Sequence, residues 1–200
     1  MIELVSIIRK YEFGGHISYM SSAYKNRKPL EEIMFDFFKK KKEEPVAETG
    51  NELIGAPVKG TAVVSAEVSD PTFGEEMLGA GMAIKPVEGK VYSPVNGVVT
   101  MTIDSNHAIG LESDRGTELL IHIGLDTVSL GGKHFNRVVK ENQKVKKGDL
   151  LIEFDKEAVL AAGFDIITPV IICNTDDYTE VIRYTGKDVE VGDTVMELVK

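Results

Sequence analysis

The sequence predicts an all-β fold, a compact antiparallel β-sandwich or partly closed barrel with internal duplication. After residue 50, short apolar and β-branched runs are separated at close intervals by Gly, Pro, Asn and Asp, which is typical of strands and turns. Two segments also recur, residues 56–63 as 93–100 and residues 147–154 as 191–198. Duplicated β-units of this kind are expected to pack as a pair.

Length and composition predict a tail and linker at residues 1–50, followed by one domain at residues 51–200. No run approaches the roughly 18 apolar residues of a membrane-spanning helix, and no secretory signal is recognisable. The one cysteine, Cys173, cannot form an internal disulfide, so we expect a cytoplasmic protein. The net charge of −9 is concentrated in residues 51–200, which argues against nucleic acid as a partner and favours a basic protein.

Within the tail, apolar side chains recur at the spacing of one helical face and predict a short amphipathic helix at about residues 30–42. They are Leu30, Ile33, Met34, Phe37 and Phe38. With the lysines at 39–42, this face could lie peripherally on an anionic membrane surface. Packing on the domain or on a neighbouring module is the alternative.

Within the domain, residues 107–112 and 118–123 predict a β-hairpin closed by a four-residue loop that ends at Gly116. In that register His107 stands directly opposite His122, and opposed residues share a sheet face with Cβ atoms about 4.5 to 5.5 Å apart. We therefore expect the two imidazoles to be neighbours on an exposed concave face. Hydrogen-bonded structural roles are the alternative, and a three-residue loop would send the two side chains to opposite faces.

The residues around this pair suit an anion. Backbone N–H groups from Gly124 to Asp126, His107 and the Ser105 hydroxyl are the candidate donors near His122. A neutral imidazole is a competent nucleophile at cytoplasmic pH, and phosphoryl transfer needs mainly positioning and charge stabilisation. A catalytic zinc usually needs three protein ligands. Only two candidate ligands, His107 and His122, come together here. We therefore predict no cofactor, although a zinc ion shared by these two histidines stays open.

Residues 116–128 contain Gly, an apolar run, His122, an apolar residue, Gly124, an apolar residue, any residue, Thr127 and a small apolar residue. This pattern, with residues 81–86 and 105–107, resembles the glucose-type enzyme IIA domain of the bacterial phosphoenolpyruvate-dependent sugar phosphotransferase system. The similarity extends from about residue 52 to 200. It implies an antiparallel β fold and phosphotransferase activity through a phosphohistidine.

The resemblance also implies residue roles. Nε2 of His122 would accept a phosphoryl group from the histidine phosphocarrier protein and pass it to a cysteine of enzyme IIB, part of the enzyme IIB/IIC sugar permease. His107 would bind the phosphoryl oxygens, and Ser105, where some members carry Thr, would orient His107. The partner-binding surface would comprise Asp70, Phe73, Met77, Leu78, Asp126 and Val128. Each assignment has an alternative. The three apolar residues at 73, 77 and 78 could instead be core under a loop. The function could instead be that of a regulatory domain of a sugar transporter or a protein-binding regulator of carbon metabolism.

Overall fold

A computed structural model describes residues 50–200. The predicted helix at residues 30–42 lies outside the described residues, and so does nearly all of the predicted tail. The described chain forms strands β1 to β14: Glu52–Gly55, Gly60–Val64, Ala80–Pro86, Lys90–Tyr92, Gly97–Thr102, Ala108–Ser113, Glu118–His122, Phe135–Arg137, Lys144–Val145, Leu150–Phe154, Thr168–Ile172, Glu180–Arg183, Lys187–Val189 and Thr194–Val199.

These strands form three antiparallel sheets, which confirms the predicted fold class. The largest has the strand order β13-β2-β3-β11-β7-β6-β5-β9, and the two smaller sheets are β1-β14-β12 and β4-β10-β8. Helix α1 spans Pro71–Gly74 and α2 spans Lys156–Ala161, and short 3-10 turns occupy Ser65–Glu67, Thr127–Leu130 and Thr175–Asp177. No helix within residues 50–200 is long and apolar enough to cross a membrane.

The repeated sequence segments occupy equivalent places in the fold. Strand β2 pairs with β13 at one edge of the large sheet, and its counterpart β5 pairs with β9 at the other. The two halves also exchange equivalent backbone hydrogen bonds, from Gly55 N–H to the Pro94 carbonyl at 3.1 Å and from Tyr92 N–H to the Pro57 carbonyl at 2.7 Å. The duplication read from the sequence is thus a local two-fold relation in the structure.

Strands β6 and β7 present one face to the hydrophobic core. Ile109, Leu111, Leu119 and Ile121 are fully buried there. Because side chains alternate along a strand, Ala108 and His122, which pair across the ladder, belong to the opposite face. The face of these two strands opposite the core therefore carries His122.

The hairpin register differs from the prediction by one residue. Ser113 donates its N–H to the Thr117 carbonyl at 2.9 Å, so the loop has three residues and ends at Gly116 with φ 85°. A three-residue loop that ends in a left-handed residue is a common hairpin connection. Consequently Ala108, and not His107, stands opposite His122. The prediction of direct opposition between the two histidines is wrong.

Candidate functional site

The two histidine rings nevertheless touch. The ring centroids of His107 and His122 are 4.8 Å apart, and the rings meet edge to face at 80°. Strand β6 begins at Ala108, and Asn106, two residues before it, has the left-handed φ of 54°. Alternation of faces holds for regular strand backbone, and Asn106 interrupts that backbone directly before His107. The predicted neighbourhood of the two imidazoles is therefore present, for a different reason.

The His122 ring is oriented by the backbone that follows it. Its Nδ1 atom lies 2.8 Å from the Gly124 carbonyl oxygen. A carbonyl can only accept a hydrogen bond, so Nδ1 of the neutral ring carries the proton. Nε2 of His122 is then left with a free lone pair, which is the form that a nucleophile requires.

Gly124 is suited to this place for steric reasons. Its φ is +73°, and a Cβ atom there would lie 2.3 Å from the Asp165 carbonyl oxygen and 2.6 Å from Cγ2 of Thr127. Its N–H already donates to the Ile167 carbonyl at 3.0 Å. We predicted that the Gly124 N–H would be free to bind phosphoryl oxygens. In the structure this N–H is already used in the hydrogen bond to Ile167, so it is not available to an anion. Gly124 contributes its carbonyl instead.

The turn after Gly124 is closed by a residue to which sequence reasoning gave no role. Thr127 is fully buried, and its hydroxyl donates to the Ile123 carbonyl at 2.6 Å. Asp126, just before it, is exposed and has a φ of 57°. The fixed place of a threonine in the sequence pattern was the available signal for this hydrogen bond.

His107 has its own side-chain partner, Ser105. Ser105 Oγ lies 2.7 Å from His107 Nδ1, and both residues are buried. A hydroxyl can donate or accept, so this contact allows either neutral tautomer of His107. If the hydroxyl donates, the proton of His107 resides on Nε2.

The pair is more deeply buried than predicted. His107 is 1% exposed and His122 is 4% exposed, so the expected exposed concave face is wrong for this structure. Burial disfavours the charged imidazolium and lowers the pKa of His107 to about 3, with a further contribution from His122. Burial also lowers the pKa of His122 to about 4, although the hydrogen bond to Gly124 opposes this shift. Both rings are therefore neutral at neutral pH.

The cover of His122 includes Phe73. The two ring centroids are 4.8 Å apart, and Phe73 is itself only 5% exposed. It sits in α1, whose first turn is capped by Asp70 through an Oδ1 contact with Thr72 N–H at 2.8 Å. Phe73 therefore lies buried against the His122 ring.

The other predicted docking residues vary in exposure. Asp70, Met77 and Leu78 are half-buried, and Val128 is 39% exposed. The segment that carries Phe73 is anchored by an ion pair. Arg183 Nη2 donates to both carboxylate oxygens of Glu76, at 2.9 and 2.8 Å. Sequence reasoning missed this ion pair, because the two residues are far apart along the chain.

No group of three or more His, Cys, Asp or Glu side chains within residues 50–200 is arranged to hold a metal ion. Both Nδ1 atoms already have partners, so only the Nε2 atoms of His107 and His122 remain for a ligand. A shared zinc ion would need additional ligands from another source. It stays a prediction.

Comparison with known proteins shows which family has this fold and sequence. Residues 52–178 match the family described as phosphoenolpyruvate-dependent sugar phosphotransferase system, EIIA 1. The chain belongs to this enzyme IIA family. The glucose-specific EIIA component of Halalkalibacterium halodurans is 40% identical over 167 residues, which cover 84% of the chain and 96% of that relative.

A longer relative and a solved structure also match the chain. The β-glucoside-specific EIIBCA component of Bacillus subtilis is 51% identical over 134 residues, which are 67% of the chain and 22% of that relative. The chain spans 22% to 24% of the length of three such relatives. The solved structure of glucose permease IIA from Mycoplasma capricolum matches with a TM-score of 0.69 and 36% identity, over 74% of the chain and 96% of that structure.

Proposed function

We propose that this enzyme IIA chain carries a phosphoryl group on Nε2 of His122 during sugar uptake. The observation that carries the proposal is the hydrogen bond from Nδ1 of His122 to the Gly124 carbonyl at 2.8 Å. It leaves Nε2 unprotonated and fixes the direction of its lone pair. A neutral, oriented imidazole is the form that can attack phosphorus without first losing a proton.

The reaction is a pair of phosphoryl transfers. In the first, Nε2 of His122 attacks the phosphohistidine of the phosphocarrier protein, a P–N bond to His122 forms, and the carrier's imidazole leaves with the electron pair of the broken P–N bond. In the second, a cysteine thiolate of enzyme IIB attacks the same phosphorus and the His122 imidazole leaves. During both steps the Gly124 carbonyl stabilises the positive charge that phosphorylation places on the ring.

His107 would assist these transfers without bonding phosphorus. Its ring is in contact with that of His122, so an Nε2–H of His107 can donate to a phosphoryl oxygen. This requires the proton on Nε2, which holds when Ser105 Oγ donates to Nδ1 across the 2.7 Å contact. Ser105 thus acts through the tautomer of His107. The assignment is consistent with the roles expected from the sequence.

Partner docking would have to uncover the reactive ring. His122 is 4% exposed, and Phe73 lies against it. A partner that binds at α1 and at the exposed Asp126 and Val128 would displace Phe73 and exclude water from the transferring group. The net negative charge of the chain favours a basic phosphocarrier. The names of the relatives give glucose or β-glucosides as the class of sugar.

The proposal is tested by following labelled phosphate from phosphoenolpyruvate through enzyme I and the phosphocarrier protein. The expected result is acid-labile label on the chain that leaves when an enzyme IIB domain is added. Absence of label would contradict the proposal. Label that no glucose or β-glucoside enzyme IIB removes would instead favour the regulatory alternative.

A further inference from the structure

We propose that Asn106 and Arg137 are positioning residues that turn the chain before His107 and so bring its ring onto His122. The predicted effect on phosphoryl transfer rests on the proposed function, whereas the effect on ring contact does not. The side-chain contact is a 3.1 Å hydrogen bond from Arg137 Nε to Asn106 Oδ1.

The strand ladder alone would send His107 elsewhere. Ile123 donates its N–H to the His107 carbonyl at 2.7 Å, which continues the β6–β7 ladder by one pair. A residue in that place of a regular strand would share its face with Ile123, whose side chain belongs to the core. The His107 ring instead contacts His122, which is on the other face. Something must redirect the chain at this point.

Asn106 supplies the change of direction. Its φ of 54° is left-handed, a conformation that asparagine tolerates and that β-branched residues avoid. Its N–H donates to the Ile103 carbonyl at 2.9 Å and closes a turn. The turn ends where His107 begins, so the conformation of Asn106 sets the direction in which the next side chain leaves the backbone.

Arg137 holds this turn from a different sheet. It is the last residue of β8 and pairs with Ile152 of β10. Its Nη1 donates to the Val139 carbonyl at 2.5 Å while Nε reaches Asn106. The guanidinium is thereby fixed at two points by hydrogen bonds. A planar, rigid donor of this kind positions an acceptor better than the flexible ammonium of a lysine would.

The neighbouring loop restricts the same turn. A Cβ atom at Gly132 would lie 3.3 Å from the Asp104 carbonyl oxygen and 3.5 Å from Ser105 Cα. The turn is therefore packed on one side and hydrogen-bonded on the other. These contacts leave the His107 ring with Ser105 behind it and His122 in front.

The test uses Asn106→Val, Asn106→Gly and Arg137→Met, with Asn142→Val as the matched control. Asn142 has a similar φ of 64° and is exposed, outside the site. At pH 7 we expect the proton NOE between the His107 and His122 rings to be lost in Asn106→Val and weakened in Arg137→Met. Onward transfer to enzyme IIB should fall about tenfold to a hundredfold in Asn106→Val, because small displacements of reacting groups have effects of this size.

Asn106→Gly should retain more ring contact than Asn106→Val, because glycine keeps the left-handed backbone although it loses the acceptor. Asn142→Val should leave the NOE and the transfer rate unchanged. The proposal is overturned if Asn106→Val keeps the NOE, or if Asn142→Val loses it equally. If Asn106→Val does not fold, an unchanged NOE in both Arg137→Met and Asn106→Gly overturns it. A wild-type chain that takes up no phosphate would contradict the proposed function while the NOE still decides this inference.

Discussion

Ser105 Oγ and His107 Nδ1 are 2.7 Å apart in a part of the site that excludes solvent. By donating to Nδ1, the hydroxyl can place the imidazole proton on Nε2 of His107. His107 is thus oriented by a side chain, whereas His122 is oriented by the backbone carbonyl of Gly124. The two histidines can therefore be perturbed separately.

Ser105→Ala should slow transfer without abolishing phosphate uptake. The substitution removes one buried hydrogen bond, worth about 0.5 to 1.5 kcal/mol, which corresponds to at most about a tenfold loss of rate. Ser105→Thr keeps the hydroxyl and should retain most of the activity. Rapid-quench measurement of transfer to enzyme IIB compares the two. Equal loss in both variants would show that the hydroxyl has no part in the effect.

Stability should fall on acidification because of the histidine pair. Their pKa values of about 3 and 4 lie below the unfolded value of about 6.5, so the unfolded chain binds more protons below pH 6.5. The stabilisation is complete above that pH and is lost as the pH falls toward about 4 for His122 and about 3 for His107. Each histidine should contribute about 2 kcal/mol of loss between pH 7 and pH 5.

Urea unfolding at the two pH values measures this dependence. His107→Gln should reduce the loss by about one histidine's share, and His134→Gln, which lies outside the pair, serves as the control. The assignment fails if His107→Gln shows the same pH dependence of unfolding as the unchanged chain.

Gly124→Ala should destabilise the fold and impair the site together. A left-handed backbone costs a residue with a Cβ about 1 to 2 kcal/mol, and here the added atom would also meet the Asp165 carbonyl at 2.3 Å. Gly148 has a φ of +91° and no atom within 4 Å of such a Cβ. Gly148→Ala should therefore show the conformational cost alone, and thermal unfolding of both variants measures the difference. An equal cost would mean that the close approach is relieved.

The tail makes a separate prediction. If residues 30–42 bind a membrane surface, vesicles with anionic lipid should retain the full chain more strongly than a chain that begins at Gly50. The truncated chain should keep the domain intact, because it retains the Gly50 and Asn51 carbonyls that Arg115 binds. Equal retention in a sedimentation assay would exclude the membrane role.

The sequence predicted the strands and the duplication because both depend on local patterns. The predicted hairpin segments at residues 107–112 and 118–123 are found as the strands Ala108–Ser113 and Glu118–His122. The hairpin register was not predictable from these patterns, because the loops of three and four residues both place a glycine at 116. The distinction depends on whether Ser113 belongs to the ladder, which its hydrogen bond to Thr117 decides.

The sequence left the burial of the site open, because it allowed residues 73, 77 and 78 to be either a docking surface or core under a loop. The segment at residues 69–78 is polar, yet α1 turns Phe73 inward onto His122. Two other contacts join distant parts of the chain: the ion pair between Glu76 and Arg183, and the hydrogen bond between Asn106 and Arg137. Local patterns carry no information on such pairs. The identity of the two histidines was nevertheless accessible, because residues 105–107 and 116–128 carry it in short motifs.

Phosphate mapping in two variants tests the central claim, that Nε2 of His122 accepts the phosphoryl group. After incubation with labelled phosphoenolpyruvate, enzyme I and the phosphocarrier protein, His122→Ala should take up no acid-labile label. His107→Gln should take it up and release it to enzyme IIB slowly, because His107 assists transfer without bonding phosphorus. Both variants must first show the thermal unfolding of an intact fold. Label undiminished in His122→Ala would contradict the account.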